Sequence, residues 1–334
     1  MPEYLLLRSP SANRVYAGEA ATLSVAELEL TAPFTAGASD QELAGVGYLA
    51  FSAPGLDDAS LATIASQSTA FALFERSGDL LRPVALPAVD ALDDDLVTIP
   101  KYQGKTNEQF TRLLLNVTLA AVTREATGPR QVLDPMAGRG TTLSTALLAG
   151  HDAFGVEADT KAFEQMAAFY STWLRRKRIK HKTRTTPVRR DGKSIGKRFD
   201  ATITTALGER QLTSFTGDTR AAADLFGKKK FDAVVVDAPY GVVHGSHTDV
   251  VGHSGRRDRT PAGLLKEAVP VWAGQLVHGG ALGLSWNTLG MPREDLASVM
   301  EAAGLVVNEG GAWDRFAHRV DSSIRRDLMV ATKP

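Results

Sequence analysis

The four residues Asp237-Ala238-Pro239-Tyr240 place a carboxylate, a turn and an aromatic ring in succession after an apolar run, Phe231 to Val236. That run is short and rich in valine, as expected of a strand buried on both faces of a parallel sheet. The carboxyl ends of such strands are where open α/β sheets hold ligands. The chemistry within reach of these residues is the gripping of an exocyclic amine. The lone pair of such an amine is delocalised into its base. Two acceptors on its N–H bonds favour the tetrahedral nitrogen and aim the lone pair at an electrophile. Asp237 can supply one acceptor and the carbonyl of Ala238 the other. Pro239 fixes the turn, and Tyr240 offers a ring on which the base can stack. Catalysis would then come from orientation and electrostatics, without a strong base. The competing reading is a capped strand end followed by a proline turn and a core tyrosine, and the upstream sequence favours the functional one.

That upstream sequence is Leu133-Asp134-Pro135-Met136-Ala137-Gly138-Arg139-Gly140-Thr141-Thr142, a strand, a glycine turn and a helix start. Glycine is needed where a side chain would block the approach of backbone to a ligand. A dinucleotide fold would want a third glycine where Leu143 stands, and a phosphate-binding P-loop would end in Lys-Ser/Thr, which is missing. Glu157 closes the next strand, 17 residues after Gly140, placed to accept hydrogen bonds from ribose hydroxyls. Asp218 follows a third strand, placed to pair with an adenine amino group. This set fits S-adenosylmethionine better than NAD. The cofactor has no pyrophosphate, so Gly138, Gly140 and Thr141 need only pack against its methionine part, while Asp134 holds the ammonium group. Asp159 is a second candidate near the ribose, but reads first as the cap of the helix beginning at Thr160.

Positioning these residues requires alternating strands and helices, hence an α/β fold with a mostly parallel, Rossmann-like sheet over residues 96–334. Glu108 to Ala121 reads as a helix, Gln131-Val132-Leu133 as a first strand, Thr141 to Leu148 as its helix and Ala153 to Val156 as a second strand. Lys161 to Arg175 reads as a helix, with strands expected near Thr213, at Asp232 to Val236 and at Gly280 to Trp286. The segment from Gly311 to Thr332 reads as two strands around a turn near Asp321, giving a C-terminal antiparallel pair. Residues 1–95 read as a small α+β domain, with strands at Tyr4 to Leu7 and Gly45 to Phe51 and a helix from Leu61 to Phe74 capped by Ser60. Pro83 to Asp95 is the expected linker, and a basic loop insertion is expected at about 175–210.

The net charge of zero hides a strong segregation. Residues 1–100 hold 14 acids against 4 Lys/Arg, whereas Arg175 to Arg198 holds 12 Lys/Arg and the single acid Asp191. A polyanion would be drawn to the second segment and repelled by the first. The chain has no cysteine, which excludes disulfides, thiolate metal sites and a cysteine nucleophile. No apolar run reaches the roughly 18–20 residues that span a bilayer, and the N-terminus lacks the pattern of a signal peptide, so a cytoplasmic protein without membrane contact is expected.

Together these residues resemble class I amine N-methyltransferases that carry an Asp/Asn-Pro-Pro-Tyr/Phe motif. More narrowly, they resemble the THUMP-associated tRNA guanosine-N2 methyltransferases. The turn Asp134 to Thr141 is similar to the cofactor turn of that family, and Asp237 to Gly241 to its amine motif, with Ala238 in place of the first proline. The segment Tyr102-Gln103-Gly104-Lys105-Thr106, followed by Asn116 on the next helix, is similar to the family's Tyr-x-Gly-x-Thr segment. The resemblance implies that Thr106 and Asn107 lie against the methionine end of the cofactor. A helix N-cap at Thr106, with Gln109 completing a capping box, is compatible with that role. The likeness covers roughly residues 100–334, and residues 1–95 are too short and too acidic for a full THUMP module. Asp-Ala-Pro also opens the motif of RNA cytosine-5 methyltransferases, but their next residue is a nucleophilic cysteine, and this chain has Tyr240 there.

The expected partner is RNA, most of all tRNA, with room left for an accessory subunit. Arg175, Arg176, Lys177 and Arg178 are candidate phosphate contacts on a mobile loop, joined by Arg256 and Arg257 on a lid over the target base. His244, His247 and His253 in that lid lack an acidic pair or closed spacing, so no metal is expected. The alternatives are a DNA adenine or cytosine amine methyltransferase, an rRNA guanine-N2 methyltransferase, and a catalytically silent nucleic-acid-binding module.

Overall fold

The computed structural model describes residues 1–11, 14–102, 104–190, 193–239 and 261–334, and the side chains of Arg14, Val15, Arg190 and Lys193 are outside that description. Tyr240 and the lid residues Arg256 and Arg257, with the three lid histidines, lie outside the described residues.

The N-terminal part contains β1 (Glu3–Arg8), α1 (Arg14–Thr31), β2 (Ala36–Leu43), β3 (Val46–Ser52), α2 (Asp58–Ala65), β4 (Ala70–Ser77) and β5 (Leu80–Val84). Its strands form an antiparallel sheet in the order β2-β3-β1-β4-β5. Alternation within β1 and β3 sends Tyr4, Leu6, Leu49 and Phe51 to one face, where Val25 and Leu28 of α1 cover them. The other side of α1, with Tyr16, Ala20, Leu23 and Ala26, joins the core of the larger sheet instead. A helix buried on two sides shows no clean apolar stripe, which is why α1 escapes a reading by periodicity.

The helix expected over Leu61 to Phe74 is not one element. It starts earlier, where Asp57 accepts from the Ser60 amide (2.8 Å), and ends at Ala65. Buried Glu27 then captures the Ser68 amide (3.0 Å), pulling the chain out of the helix and into β4.

The larger sheet is built from β6 (Gln131–Asp134), β7 (Asp152–Glu157), β8 (His181–Arg190), β9 (Lys193–Thr205), β10 (Gly208–Thr216), β11 (Phe231–Asp237), β12 (Leu276–Asn287), β13 (Val306–Val307), β14 (His318–Arg319) and β15 (Arg325–Thr332). Packed on it or joining its strands are α3 (Asp95–Thr98), α4 (Glu108–Ala120), α5 (Thr141–Leu148), α6 (Thr160–Arg176), α7 (Ala222–Phe226), α8 (Pro261–Gln275) and α9 (Arg293–Ala302). The order is β13-β15-β12-β11-β6-β7-β10-β9-β8, with β14 paired to β15. The five strands from β12 to β10 are parallel. β15 runs antiparallel between β12 and β13. A parallel sheet that reverses its winding beside the first strand and ends in such an inserted antiparallel strand is the class I methyltransferase arrangement. The reversal falls between β6 and β11, so the crevice open to a ligand lies above their carboxyl ends.

The basic segment also differs from the expected loop. Arg175 to Arg198 is not a loop insertion: it comprises the end of α6, all of β8 and the first half of β9. The reason lies in β9, where Phe199, Ala201 and Ile203 alternate into the core and Phe199 stacks on Tyr170 of α6 at 6.3 Å. That apolar face drives the hairpin onto the sheet and leaves Lys182, Arg184 and Arg189 exposed. Among the described residues, no helix is long and apolar enough to cross a membrane.

Candidate functional site

The glycine turn closes on itself before any ligand is considered. Asp134, the last residue of β6, accepts from the Met136 amide at 2.9 Å, and the Gly140 amide donates to the Ala137 carbonyl at 2.7 Å. Gly138 and Gly140 have φ of 53° and 85°, the left-handed region that a side chain disfavours. A Cβ on Gly140 would also lie 3.1 Å from the Met166 sulfur and 3.4 Å from the Tyr170 hydroxyl. Leu143, standing where a dinucleotide fold would have its third glycine, is buried against β7. A Cβ on Gly155 would meet its Cδ1 at 2.9 Å. The close approach of helix and strand is thus provided by a glycine on the strand.

Glu157 ends β7 and reaches back under this turn. Its two oxygens accept from the amides of Gly138 (2.6 Å) and Asp159 (2.7 Å). A carboxylate has about four acceptor directions, so capacity remains for hydroxyl groups. Burial raises its pKa. Asp134 is more extreme: its side chain is buried and its pKa is pushed up to about 7 by desolvation, with the charges of Glu157 and Asp237 adding to the effect. Glu157 and Asp237 thus act together on Asp134, a local field that favours a cationic ligand. Asp159 caps α6 as expected, accepting from the Lys161 amide at 2.8 Å. Asp218 lies just past β10, where it accepts from the Arg220 amide (2.8 Å) and pairs with the Arg220 guanidinium (2.5 Å). Its carboxylate is engaged with a cation rather than open to the crevice.

Asp237 ends β11 in register with Ser285 of β12, and the Ala238 amide still donates to the Ser285 carbonyl at 2.8 Å. The backbone of the amine motif is therefore pinned for one residue beyond the strand. Ala238 is buried and Pro239 is exposed. Asp237 is half-buried, and the Thr106 hydroxyl donates to its Oδ2. Thr106 is not the helix cap. Asn107 takes that place, accepting from the Phe110 amide at 3.0 Å. Gln109 reaches the Ser9 carbonyl (3.1 Å) instead of closing a capping box. Tyr102 anchors the same segment over the glycine turn, with its hydroxyl 2.8 Å from the Thr141 hydroxyl and the Arg139 guanidinium 4.6 Å from its ring centre.

One crevice thus gathers Thr106, Asp134, Gly138, Gly140, Thr141, Glu157 and Asp237. Asn107 sits at its rim as a cap, and Asn116 faces away, donating to Glu27 at 2.7 Å. Two further residues went unread in the sequence. The Ser285 hydroxyl is buried beside Asp237 without a hydrogen-bond partner among the described residues. His318 is buried next to Phe110, at 5.4 Å between ring centres, and desolvation lowers its pKa to about 4. A polar Ser-Trp-Asn end on the strand following the amine motif was the available signal for Ser285; His318 gave none.

Of the phosphate candidates, Arg175 and Arg176 are exposed in the last turn of α6, and Arg178 follows it with φ of 55°. Lys177 is engaged elsewhere, pairing with Asp93 (2.7 Å) and Asp95 (2.5 Å).

No family model and no curated protein matches the chain. Solved structures resemble it at low identity. TrmN from Thermus thermophilus aligns over 100% of both chains with 11% identity and a TM-score of 0.46. Magnesium protoporphyrin IX methyltransferase from Synechocystis, solved with SAH, aligns over 70% of this chain and 90% of its own, with 14% identity and a TM-score of 0.40. A 16S rRNA N2 methyltransferase (RsmC) of T. thermophilus, in complex with AdoMet and guanosine, aligns over 90% of this chain and 59% of its own, with 15% identity and a TM-score of 0.36. The strand order, not these scores, identifies the sheet.

Proposed function

We propose that this protein is an S-adenosylmethionine-dependent methyltransferase that modifies an exocyclic base amine in RNA, with guanosine N2 of tRNA as its target. The single observation that carries the reading is the placement of Asp237. It stands at the reversal point of the sheet, beside a glycine turn whose Gly140 holds a left-handed φ of 85° and packs closely on Met166. The cofactor would supply an electrophilic methyl on a sulfonium. Asp134 would face its ammonium group, and a cation there would draw the Asp134 proton off. Glu157 would use its remaining acceptor directions on the ribose hydroxyls. Gly138, Gly140 and Thr141 would line the methionine part. Asp218 would contribute to the adenine end only by loosening from Arg220.

On the substrate side, the Asp237 carboxylate would accept one N–H of the amine, and the Ala238 carbonyl would take the second. Thr106 orients the carboxylate by holding Oδ2. The amine becomes acidic once it attacks, so its proton can pass to water or to Asp237. Tyr240 would stack on the base, which must be unpaired or flipped to reach it. The preference for tRNA guanosine rests on the resemblance of Asp134 to Thr141 and of Asp237 to Gly241 to that family.

The test is to incubate the purified protein with methyl-labelled S-adenosylmethionine and, separately, unmodified tRNA, rRNA and DNA. Label recovered as N2-methylguanosine from tRNA is the expected result. Label in N6-methyladenine of DNA would move the substrate to DNA, and label in rRNA alone would move it to the ribosome. Absence of S-adenosylmethionine binding would leave only the silent module.

A further inference from the structure

The hairpin β8–β9 is long for its place in the sheet, and its charges are sorted. β8 forms the outer edge. It starts beside the end of α6 and runs in the same direction as β10, because both are antiparallel to β9. Pairing with β10 ends at Arg198 opposite Phe215, and Arg198 in turn lies opposite Thr186. Residues Pro187 to Arg190 therefore project past the last β9–β10 pair, at the carboxyl edge that carries Asp134, Glu157 and Asp237. At about 3.4 Å per residue, the strand spans roughly 30 Å from the opposite edge to this one.

Lys182 and Arg184 share the face opposite Phe199, Ala201 and Ile203, and Arg189 stands near the projecting end. All three are exposed, and none makes an ion pair among the described residues. The same holds for Arg175, Arg176, Arg178 and Lys180 at the foot of the hairpin. The neighbouring cations differ. Lys177 pairs with Asp93 and Asp95, Lys197 with Glu164 (2.5 Å) and Arg198 with Asp200 (2.8 Å). Cations engaged with the fold are thus separated from a line of cations that have no ion pair among the described residues, and that line climbs one sheet edge towards the crevice.

We propose that β8 is a rail for the phosphate backbone of the RNA substrate, with Lys182, Arg184 and Arg189 as its contacts and its upper end delivering the strand to the Asp237 crevice. This deepens the methyltransferase reading and rests on it for the identity of the polyanion. The thirteen-residue strand β9 holds the rail rigid through its apolar face, so the contacts are preorganised rather than carried on a loop. Lys177 is not part of the rail, because its ammonium is already shared by two carboxylates.

The experiment is fluorescence anisotropy of a labelled 20-nucleotide single-stranded RNA, titrated at several KCl concentrations. It compares the wild type, the triple variant Lys182→Gln/Arg184→Gln/Arg189→Gln, and the charge-matched control Arg82→Gln/Lys228→Gln/Lys230→Gln. Each lost contact to a single strand removes about 0.7 from the slope of log K against log salt. The triple should therefore flatten that slope by about 2, weaken binding about tenfold or more at 100 mM KCl, and leave S-adenosylmethionine affinity and melting temperature unchanged. The control should bind like the wild type. An unchanged slope in the triple, or equal losses in triple and control, would overturn the rail. Tighter binding of a 20-base-pair DNA duplex than of the RNA would overturn RNA as its occupant. Because binding is read without cofactor, a protein that fails to methylate but shows the flattened slope would refute the activity while retaining the rail. Methylation of RNA with an unchanged slope would do the reverse.

Discussion

Asp134 and Asp237 end neighbouring parallel strands, β6 and β11, yet their surroundings divide them. Asp134 is enclosed, engaged with the Met136 amide, and pushed up to about 7 by burial and by the other two acids. Asp237 is half-buried, and one of its oxygens accepts from the Thr106 hydroxyl, which comes from a distant segment. The same residue type thus meets two environments, which suit the two different roles proposed above. A buried carboxylate with a raised pKa is a trap for a cation, while a half-exposed and oriented one can meet a group that arrives from solvent.

The strongest way to break this comparison is at Asp237. Asp237→Ala should lower methyl transfer by about 10²–10³-fold, the usual effect of removing one oriented electrostatic partner, while S-adenosylmethionine affinity measured by calorimetry stays within about twofold. The mirror-image change is Asp134→Asn. A hydrogen bond to a charged group contributes about 1.5–3 kcal/mol, so cofactor binding should weaken by about 10- to 100-fold.

That second variant also carries a pH signature. The folded Asp134 keeps its proton up to about pH 7, whereas the unfolded group loses it near 3.8. Its contribution to stability is therefore full below pH 4 and is lost as pH rises through 7. Binding of a cation has the opposite sign: wild-type affinity should rise with pH up to about 7, by as much as about tenfold per unit, and then level off. Asp134→Asn should abolish both dependences. An equally steep profile in the variant would assign the titration to another group.

Smaller effects sharpen the picture. Gly140→Ala must take a left-handed φ and push on Met166, which should cost about 1–2 kcal/mol in a denaturant melt and weaken cofactor binding. Thr106→Ala should reduce turnover about three- to tenfold with little change in cofactor affinity, and Thr106→Ser should restore most of it. Loss of affinity instead of turnover would place Thr106 with Asp134 rather than with Asp237.

What the sequence made legible was local. The turn from Asp134 to Thr141 and the strand ending at Asp237 are contiguous patterns whose residue types state their own geometry, and the parallel order follows from their alternation. The unread features depend on distant partners. The Thr106–Asp237 bond joins residues 131 positions apart, so a local reading took Thr106 for a cap. The helix read into Leu61 to Phe74 broke because Glu27 sits opposite Ser68. The basic run looked like a loop because its apolar half, Phe199 to Ile203, comes only after the charges. Lys177 shows the same limit, since its acids lie more than 80 residues away.

The central claim is that Asp237 grips the amine of an RNA base. Nucleosides of tRNA from cells lacking this protein should be quantified by mass spectrometry, after complementation with the wild type or with Asp237→Ala. The prediction is that N2-methylguanosine is lost in the deletion, returns with the wild type, and does not return with the variant. Its return with Asp237→Ala would contradict the mechanism, and its persistence in the deletion would contradict the substrate.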